Sequence, residues 1–309
     1  MNNTIYIDTH YSDEVRRAAL YAGQIFVHLR SPSVLQFAQF ARELIEGAFA
    51  PLDAQIAQHD MPVEQFAAIL GELKPRFIHH PESKRLLQAI LTEAGCDLEQ
   101  TYFDVPRLRS STSNDYLTTG IAYAWHPHRD TWYSAPGCQL NWWLPVFDIE
   151  SENAMAFHPA YWDRAVPNNS SEYNYYIWNK VHRGAAVANF VKEDPRPLPR
   201  AQEPIDLDPQ LRIVCPVGGM ILFSGQQMHS SVPNTSGKTR YSIDFRTIHA
   251  GDAAQRRGAQ LVDVACTGTT MRDYLKGTDF SRLQDEIIDL YDDGTVDLGE
   301  AVYSSNVDY

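Results

Sequence analysis

The sequence predicts a mainly β protein with flanking helices, built on a double-stranded β-helix (jelly-roll, cupin-like) core. Helical patterns fill most of residues 1–101, and short strand patterns follow between 102 and 250. No regular crossover helices separate these strands, as a parallel sheet would require, so an antiparallel jelly roll fits better. We expect a single domain across all 309 residues.

The N-terminal part, residues 1–101, is predicted to be mostly helical. Apolar residues recur at three- and four-residue spacing over 33–49, 62–73 and 83–95, as expected for helices with one buried face. Prolines separate these stretches. We therefore expect helices that pack outside the β core.

The pattern changes to short strands from about residue 102. QLNWWLPVF alternates polar with apolar residues, and MILFSG and TRYSIDFRTI follow later in the chain. Residues 162–212 are irregular and rich in Asn, Tyr and Pro, and they are too many for an ordinary connection, so we expect a lid-like insert, either a lid or a binding loop. Residues 251–309 are predicted to form a C-terminal helical and acidic segment.

Composition excludes several classes of protein. The net charge of −13 argues against nucleic acid, because a phosphate-binding surface needs clustered Lys and Arg. A cationic substrate would suit this balance, although acidic surfaces are common for solubility alone. The first residues do not resemble a signal peptide, no apolar run is long enough to span a membrane, and the four cysteines show no C-x-x-C pair. We expect a cytoplasmic protein that binds no membrane, and the sequence does not indicate an oligomeric state.

The stretch WHPHRDTW, residues 125–132, contains the first candidate metal ligands. In an extended strand, His128 and Asp130 project to one face and Arg129 to the other. His126 has the same parity, so periodicity does not exclude it. An imidazole with a carboxylate forms half of a divalent metal site, and His229, at the end of an apolar strand, is the natural third ligand. Such a facial triad leaves open positions on Fe(II).

A second polar group follows eleven residues after His229. Strand alternation places Arg240, Ser242, Asp244 and Arg246 on one face. An arginine inside a β core is costly unless it meets an anion, and its planar fork suits a carboxylate, with a serine hydroxyl two residues on as an additional donor. Arg246 can instead form an internal ion pair with Asp244, so we do not assign it to a ligand.

These motifs, in this order, resemble those of the iron(II)- and 2-oxoglutarate-dependent oxygenases, and most of all the phytanoyl-CoA-hydroxylase-like branch. The likeness rests on HRD, WWLPVF, ESEN, GGMILFSGQQMHSSVPN and RYS, and it covers roughly residues 115–250. His158 departs from the pattern, because relatives often have a Pro-Gly-Ser-His turn there.

The resemblance implies a site for Fe(II), with 2-oxoglutarate and O2 as cosubstrates. It implies metal ligation by His128, Asp130 and His229. The H-x-D pattern selects His128 and not His126 as the ligand, so His126 is expected not to bind the metal. It implies that Arg240 binds the distal carboxylate of 2-oxoglutarate with help from Ser242. An amide on the WWLPVF strand often meets the cosubstrate, and both Gln139 and Asn141 are candidates for it.

The implied reaction couples decarboxylation of 2-oxoglutarate to succinate and CO2 with hydroxylation of a small-molecule C–H bond, in secondary or specialised metabolism. Retention of a carboxylate at position 130 favours hydroxylation over halogenation. Desaturation or cyclisation by the same chemistry, a cupin-type metalloenzyme that does not use 2-oxoglutarate, and a non-enzymatic binding module remain open. The expected substrate contacts are Trp132, Arg129, Tyr133 and Trp162.

Overall fold

A computed structural model describes residues 4–122, 126–182, 193–292 and 294 of the chain. The N-terminal part contains four helices, α1 (Asp13–Tyr21), α2 (Pro32–Phe49), α3 (Val63–Ile78) and α4 (Pro81–Glu93). The three patterned segments are thus helical, as predicted. Their ends follow local chemistry: the Ser31 hydroxyl accepts a hydrogen bond from the Val34 amide, and Pro32 occupies the first turn of α2.

Eleven strands form two sheets in the described part of the chain. They are β1 (Ile5–Ile7), β2 (Ile25–His28), β3 (Thr101–Phe103), β4 (Arg107–Ser111), β5 (Leu140–Pro145), β6 (Met155–Phe157), β7 (Leu211–Ile213), β8 (Met220–Ser224), β9 (His229–Ser231), β10 (Arg240–His249) and β11 (Leu275–Lys276). The larger sheet has the order β1-β2-β8-β5-β10-β3-β11, with β4 also paired to β10, and the smaller sheet has the order β7-β6-β9. β1 and β2 are parallel, and the other paired strands are antiparallel. The protein is therefore a mixed, sheet-rich fold with flanking helices.

The first two strands lie in the part predicted to be mostly helical. β2 joins the larger sheet beside β8, and β1 extends that edge. Runs of three or four apolar residues cannot be distinguished from helical segments by periodicity, and these become strands because β8 offers them a partner.

Alternation along β5 separates two apolar cores. The Trp142 side chain packs with α2 to α4 on the outer face of the larger sheet, whereas Trp143 packs between the two sheets with Phe157 and Phe223. By the same parity, Asn141 shares the inner face with Trp143. The polar side chains of the predicted site therefore face the space between the sheets.

The metal motif is less extended than a strand. Gly120–Ala122, which precede the motif, form a 3-10 turn, and residues 123–125 lie outside the described residues. Asp130–Tyr133 form a second 3-10 turn. His128 does not lie in a continuous strand but pairs with His229 as an isolated bridge. The backbone of the motif is therefore positioned by its pairing with β9.

The remaining helices are short. In the insert, α5 (Tyr175–Ile177) continues into a π-helical turn, Trp178–His182. After β10 come α6 (Ala250–Ala254) and α7 (Asp285–Ile288). The acidic stretch 295–309, predicted as part of the C-terminal segment, lies outside the described residues. None of the helices in the described ranges is long and apolar enough to cross a membrane.

Candidate metal centre

One ligating atom from each of His128, Asp130 and His229 lies within 4.8 Å of the other two, and all three residues are buried. Asp130 Oδ1 lies 3.4 Å from Nε2 of His128 and 3.8 Å from Nε2 of His229. Within the described ranges this is the one such group, and His126 is not part of it. The three residues predicted from the sequence as ligands therefore come together.

Backbone hydrogen bonds position these ligands. His128 and His229 exchange reciprocal N–H···O bonds of 3.0 Å, and the Asp130 amide donates to the Gly225 carbonyl at 2.9 Å. A Cβ at Gly225 would lie 3.6 Å from the Asp130 Cβ and 3.2 Å from the Gln139 amide nitrogen. Glycine thus allows the turn after β8 to approach the Gln139 amide closely.

The second nitrogen of each imidazole is held by a carbonyl. His128 Nδ1 lies 2.8 Å from the His126 carbonyl oxygen, and His229 Nδ1 lies 2.9 Å from that of Gln227. Because a carbonyl only accepts, both Nδ1 atoms carry the proton, and both Nε2 atoms present a lone pair towards Asp130. His126 therefore supports the site through its backbone, while its side chain is exposed.

The protonation states suit a cation. Burial and, secondarily, the neighbouring His128 lower the pKa of His229 to about 4, so this imidazole is neutral at neutral pH. Burial opposes ionisation of Asp130, but the nearby Arg246 guanidinium favours the carboxylate, and the pKa of this carboxyl lies well below its usual value. The neutral imidazole of His229 and the carboxylate of Asp130 thus face one another, beside the ring of His128.

The other oxygen of Asp130 is held by two amides. Asn141 Nδ2 donates to Oδ2 at 2.8 Å, and Gln139 Nε2 donates to it at 3.1 Å. Gln139 Nε2 also donates to Asn141 Oδ1, and the Tyr274 hydroxyl donates to Gln139 Oε1 at 2.8 Å. One or other of Gln139 and Asn141 was predicted to meet the cosubstrate, and that contact stays a prediction. In the structure both amides donate to Asp130, which leaves Oδ1 facing the histidines.

Arg240 and Ser242 lie further along the inner face of β10. The Arg240 side chain is buried, and its NH1 donates to the Asn153 carbonyl at 3.0 Å. Among the described residues, Arg240 Nε and Ser242 Oγ are buried without a hydrogen-bond partner, and Arg240 makes no ion pair. Burial lowers the pKa of this guanidinium to about 10, so it still carries its charge at neutral pH.

The four predicted substrate contacts lie in different environments. Arg129 is fully buried: it pairs with Asp263 at 3.1 Å and donates to the carbonyls of Gln226, Tyr161 and Arg164. Trp132 is also fully buried, and its indole N–H donates to Asp263 at 2.8 Å. Neither side chain reaches a surface that a substrate could contact, because a buried guanidinium and indole must satisfy their donors internally.

Tyr133 and Trp162 are half-buried. The Tyr133 ring meets His128 edge-on, with ring centroids 5.6 Å apart, and its hydroxyl donates to the Pro199 carbonyl of the insert. Trp162 packs on Gly23, where an added Cβ would lie 2.6 Å from the indole. Tyr133 therefore borders the metal centre, whereas Trp162 fastens the insert to the N-terminal part.

Arg246 belongs to the centre although the sequence did not assign it there. Its guanidinium lies 3.5 Å from Asp130, 3.3 Å from Asp104 and 3.6 Å from Asp244. Strand parity places Arg246 on the right face, but only the register that sets it opposite Asn141 brings it to Asp130. Tyr274 was also missed, since no sequence signal links it to Gln139.

No family model and no curated protein matches this chain. Among solved structures, EvdO2 from Micromonospora carbonacea var. aurantiaca is similar over 78% of this chain and 92% of its own, at 13% identity and a TM-score of 0.43. The non-heme alpha ketoglutarate dependent carbocyclase SnoK from nogalamycin biosynthesis matches over 78% and 85%, at 13% identity and 0.38. The epimerase SnoN, in complex with Fe3+, alpha ketoglutarate and nogalamycin RO, matches over 77% and 85%, at 15% identity and 0.36. These TM-scores are below 0.5, so the proposal below is based on the residues of the site.

Proposed function

We propose that this chain is an iron(II)- and 2-oxoglutarate-dependent oxygenase that hydroxylates a C–H bond of a small molecule in secondary or specialised metabolism. One observation carries the proposal. His128, Asp130 and His229 turn three ligating atoms towards one another, while separate hydrogen bonds hold the second polar atom of each side chain.

The donor set fits Fe(II). Two imidazole nitrogens and one carboxylate oxygen form the triad that non-heme iron oxygenases use, with positions left for other ligands. A structural zinc site would require a fourth protein ligand, and the described residues supply three. The buried amides on Asp130 Oδ2 and the carbonyls on both Nδ1 atoms are the outer contacts that orient ligands before a metal binds.

The interior also fits a dicarboxylate cosubstrate. The buried charge of Arg240 meets no carboxylate among the described residues, and the neighbouring Ser242 hydroxyl lacks a partner. A bound carboxylate would satisfy both groups, whereas a dry apolar filling would leave the charge uncompensated. The Arg240 guanidinium lies beside Asn153 and Ala154, roughly 10 Å by strand rise from Phe157, the partner of His229.

Bound Fe(II), with 2-oxoglutarate and O2, would supply the oxidising chemistry that converts the cosubstrate to succinate and CO2. The chain's own residues prepare the site for it. Asn141 and Gln139 keep one oxygen of Asp130 directed at the histidines. The Phe223 ring packs edge-on against His229 at 5.0 Å and limits the access of water to this ligand. Desaturation and cyclisation would use the same arrangement, so the substrate decides the outcome.

Within this proposal we assign the chain to the phytanoyl-CoA-hydroxylase-like branch and its two sheets to a double-stranded β-helix. The order of the motifs supports the branch. The position of the triad between β9 and the inner face of β5 supports the fold, because a jelly roll places its metal between two sheets. On sequence grounds we expect one catalytic domain that acts in the cytoplasm.

The test is an anaerobic titration. The protein should bind about one Fe(II) per chain and develop a weak visible charge-transfer band when 2-oxoglutarate is added. His229→Ala should abolish succinate formation, and His126→Ala should retain it. Metal binding without the band would favour a cupin-type metalloenzyme, and absence of metal binding would favour a binding module.

A further inference from the structure

The two carboxylate oxygens of Asp130 lie in different surroundings. Oδ2 accepts hydrogen bonds from the amides of Asn141 and Gln139 at 2.8 and 3.1 Å, and Arg246 Nε lies 3.5 Å from it. Oδ1 instead lies 3.4 and 3.8 Å from the Nε2 atoms of the two histidines. Because a carboxylate oxygen offers about two lone pairs, the donors around Oδ2 leave it little capacity to bind a metal.

The hydrogen bonds of Gln139 determine which way its amide points. Its Nε2 donates to Asp130 Oδ2 and also to Asn141 Oδ1, at 3.0 Å. Its Oε1 consequently faces away from the carboxylate, and it accepts a hydrogen bond from the Tyr274 hydroxyl at 2.8 Å. The reverse orientation is unfavourable, because it would place Oε1 against two other acceptor oxygens. Tyr274 therefore supplies the donor that this orientation requires.

Tyr274 belongs to the C-terminal segment, outside the strands that hold the ligands. It follows a 3-10 turn, Thr270–Asp273, and directly precedes β11, whose Leu275 pairs with Phe103 of β3. Its side chain is buried in an apolar cluster with residues of β3 and β10. Packing thus holds the ring, and with it the hydroxyl, in place at Gln139 before a metal binds.

The hydroxyl of Tyr274 serves the amide rather than the apolar cluster. Gln139 is only 2% exposed, so without this hydroxyl its Oε1 would lose its donor in the interior. A buried acceptor without a donor is costly, and rotation of the side chain would relieve that cost. Such a rotation would remove one donor from Asp130 Oδ2 and free this oxygen to approach the metal.

We propose that Tyr274 is a positioning residue of the metal centre: its hydroxyl, acting through Gln139, keeps Asp130 bound to the metal by Oδ1 alone. The inference rests on the proposed function, because it concerns the positions left open on iron. One carboxylate oxygen and two imidazoles leave positions for a chelating 2-oxoglutarate and for O2. A second oxygen from Asp130 would compete for the latter position. The C-terminal segment thus protects the position that O2 needs.

The test is an anaerobic titration with nitric oxide, which binds at an open position on iron. The full chain carries Fe(II) and saturating 2-oxoglutarate, and the visible absorbance of the nitrosyl complex gives the affinity. Tyr274→Phe should weaken nitric oxide binding roughly threefold to tenfold, the effect of one neutral hydrogen bond. Gln139→Leu should weaken it at least as much. Tyr274→Phe should add nothing in the Gln139→Leu background, because the hydroxyl acts through the amide.

Tyr241→Phe is the matched control. Tyr241 is also buried, and its hydroxyl donates to one carbonyl, that of Ala54 at 3.1 Å, on the outer face of the larger sheet. It should lower the thermal stability about as much as Tyr274→Phe and leave nitric oxide binding unchanged. If Tyr274→Phe also left nitric oxide binding unchanged, Tyr274 would only stabilise the fold. If its effect added to that of Gln139→Leu, the hydroxyl would not act through the amide. Either result would overturn the proposal.

Failure of the proposed function is read separately, on the unmodified protein. If that protein binds metal but not 2-oxoglutarate, the proposed function fails, and the visible spectrum of Co(II)-loaded protein tests Tyr274. A second oxygen from Asp130 would raise the coordination number and lower the absorption intensity in Tyr274→Phe, whereas a spectrum identical to that of the unmodified protein would contradict the proposal. If no metal binds, both proposals fail.

Discussion

Replacing Arg240 with methionine should remove 2-oxoglutarate binding and leave metal binding intact. The guanidinium is buried, one of its nitrogens donates to Asn153, and its Nε has no partner among the described residues. Removal of one partner from a buried charge pair costs about 2–5 kcal/mol, which corresponds to a loss of affinity of roughly 30-fold to several thousand-fold. Asp130, His128 and His229 do not contact Arg240, so metal affinity should change little.

The measurement is the thermal stability of the metal-loaded protein with and without 2-oxoglutarate. At one hundred times its dissociation constant, the cosubstrate should stabilise the unmodified protein by about 2.7 kcal/mol. At the same concentration, a hundredfold weaker variant should gain only about 0.4 kcal/mol. Without cosubstrate the midpoint should move little, because the acceptor left unpaired at Asn153 offsets the removal of an uncompensated buried charge.

Arg212→Met provides the control. Arg212 also lies on a strand and donates to one carbonyl, that of Ser151, but it is exposed. It should leave the stabilisation by 2-oxoglutarate unchanged. If Arg240→Met kept the full stabilisation, the cosubstrate would bind elsewhere; if it lost metal and cosubstrate together, Arg240 would support the fold instead.

Three further predictions concern individual side chains. His128→Ala should abolish metal binding and His126→Ala should retain it, as measured by metal content after dialysis, because the His126 side chain is not part of the ligand group and its carbonyl, which holds His128 Nδ1, remains in the variant. Arg129→Met should lower the free energy of unfolding by about 3–5 kcal/mol in urea titrations, because it leaves the buried carboxylate of Asp263 without its ion-pair partner. Unchanged stability together with lost turnover would indicate that Arg129 contacts the substrate after all. Burial lowers the pKa of His158 in the folded protein to about 4. Below about pH 6.5 the unfolded chain therefore binds more protons at this residue than the folded chain does. The metal-free protein should lose stability as the pH falls towards 4. His158→Asn should weaken that dependence, and an unaltered pH profile would contradict it.

The sequence could predict which candidate ligands come together, because their chemistry depends on side-chain type and spacing. His128 and Asp130 share a parity, His229 ends an apolar strand, and Arg240 follows on a strand whose other face is apolar. None of these features depends on which segments pair. The helices of the first hundred residues were predictable for the same reason, since a helix repeats within its own segment.

What the sequence missed depends on register and distance along the chain. Arg129 was expected to be a substrate contact, but its partner Asp263 lies 134 residues away, and parity says nothing about such a partner. Gln139 and Asn141 were placed on the correct face, yet their bonds to Asp130 arise only where the turn after β8 packs against β5. The strand β2 exists because β8 lies beside it.

The same physical arrangement recurs in the three proposed metal ligands and in Arg240: one polar atom of the side chain is held by the protein, and another has no protein partner or faces the other ligands. Nδ1 of each histidine is held by a carbonyl and Nε2 faces Asp130. Asp130 Oδ2 is held by amides while Oδ1 faces the histidines. A structural histidine or arginine would gain stability by satisfying all its polar atoms, as Arg129 does. Arg240, which is held at one nitrogen and unpartnered at Nε, instead retains an unmet donor in the interior, and a bound anion would offset that cost.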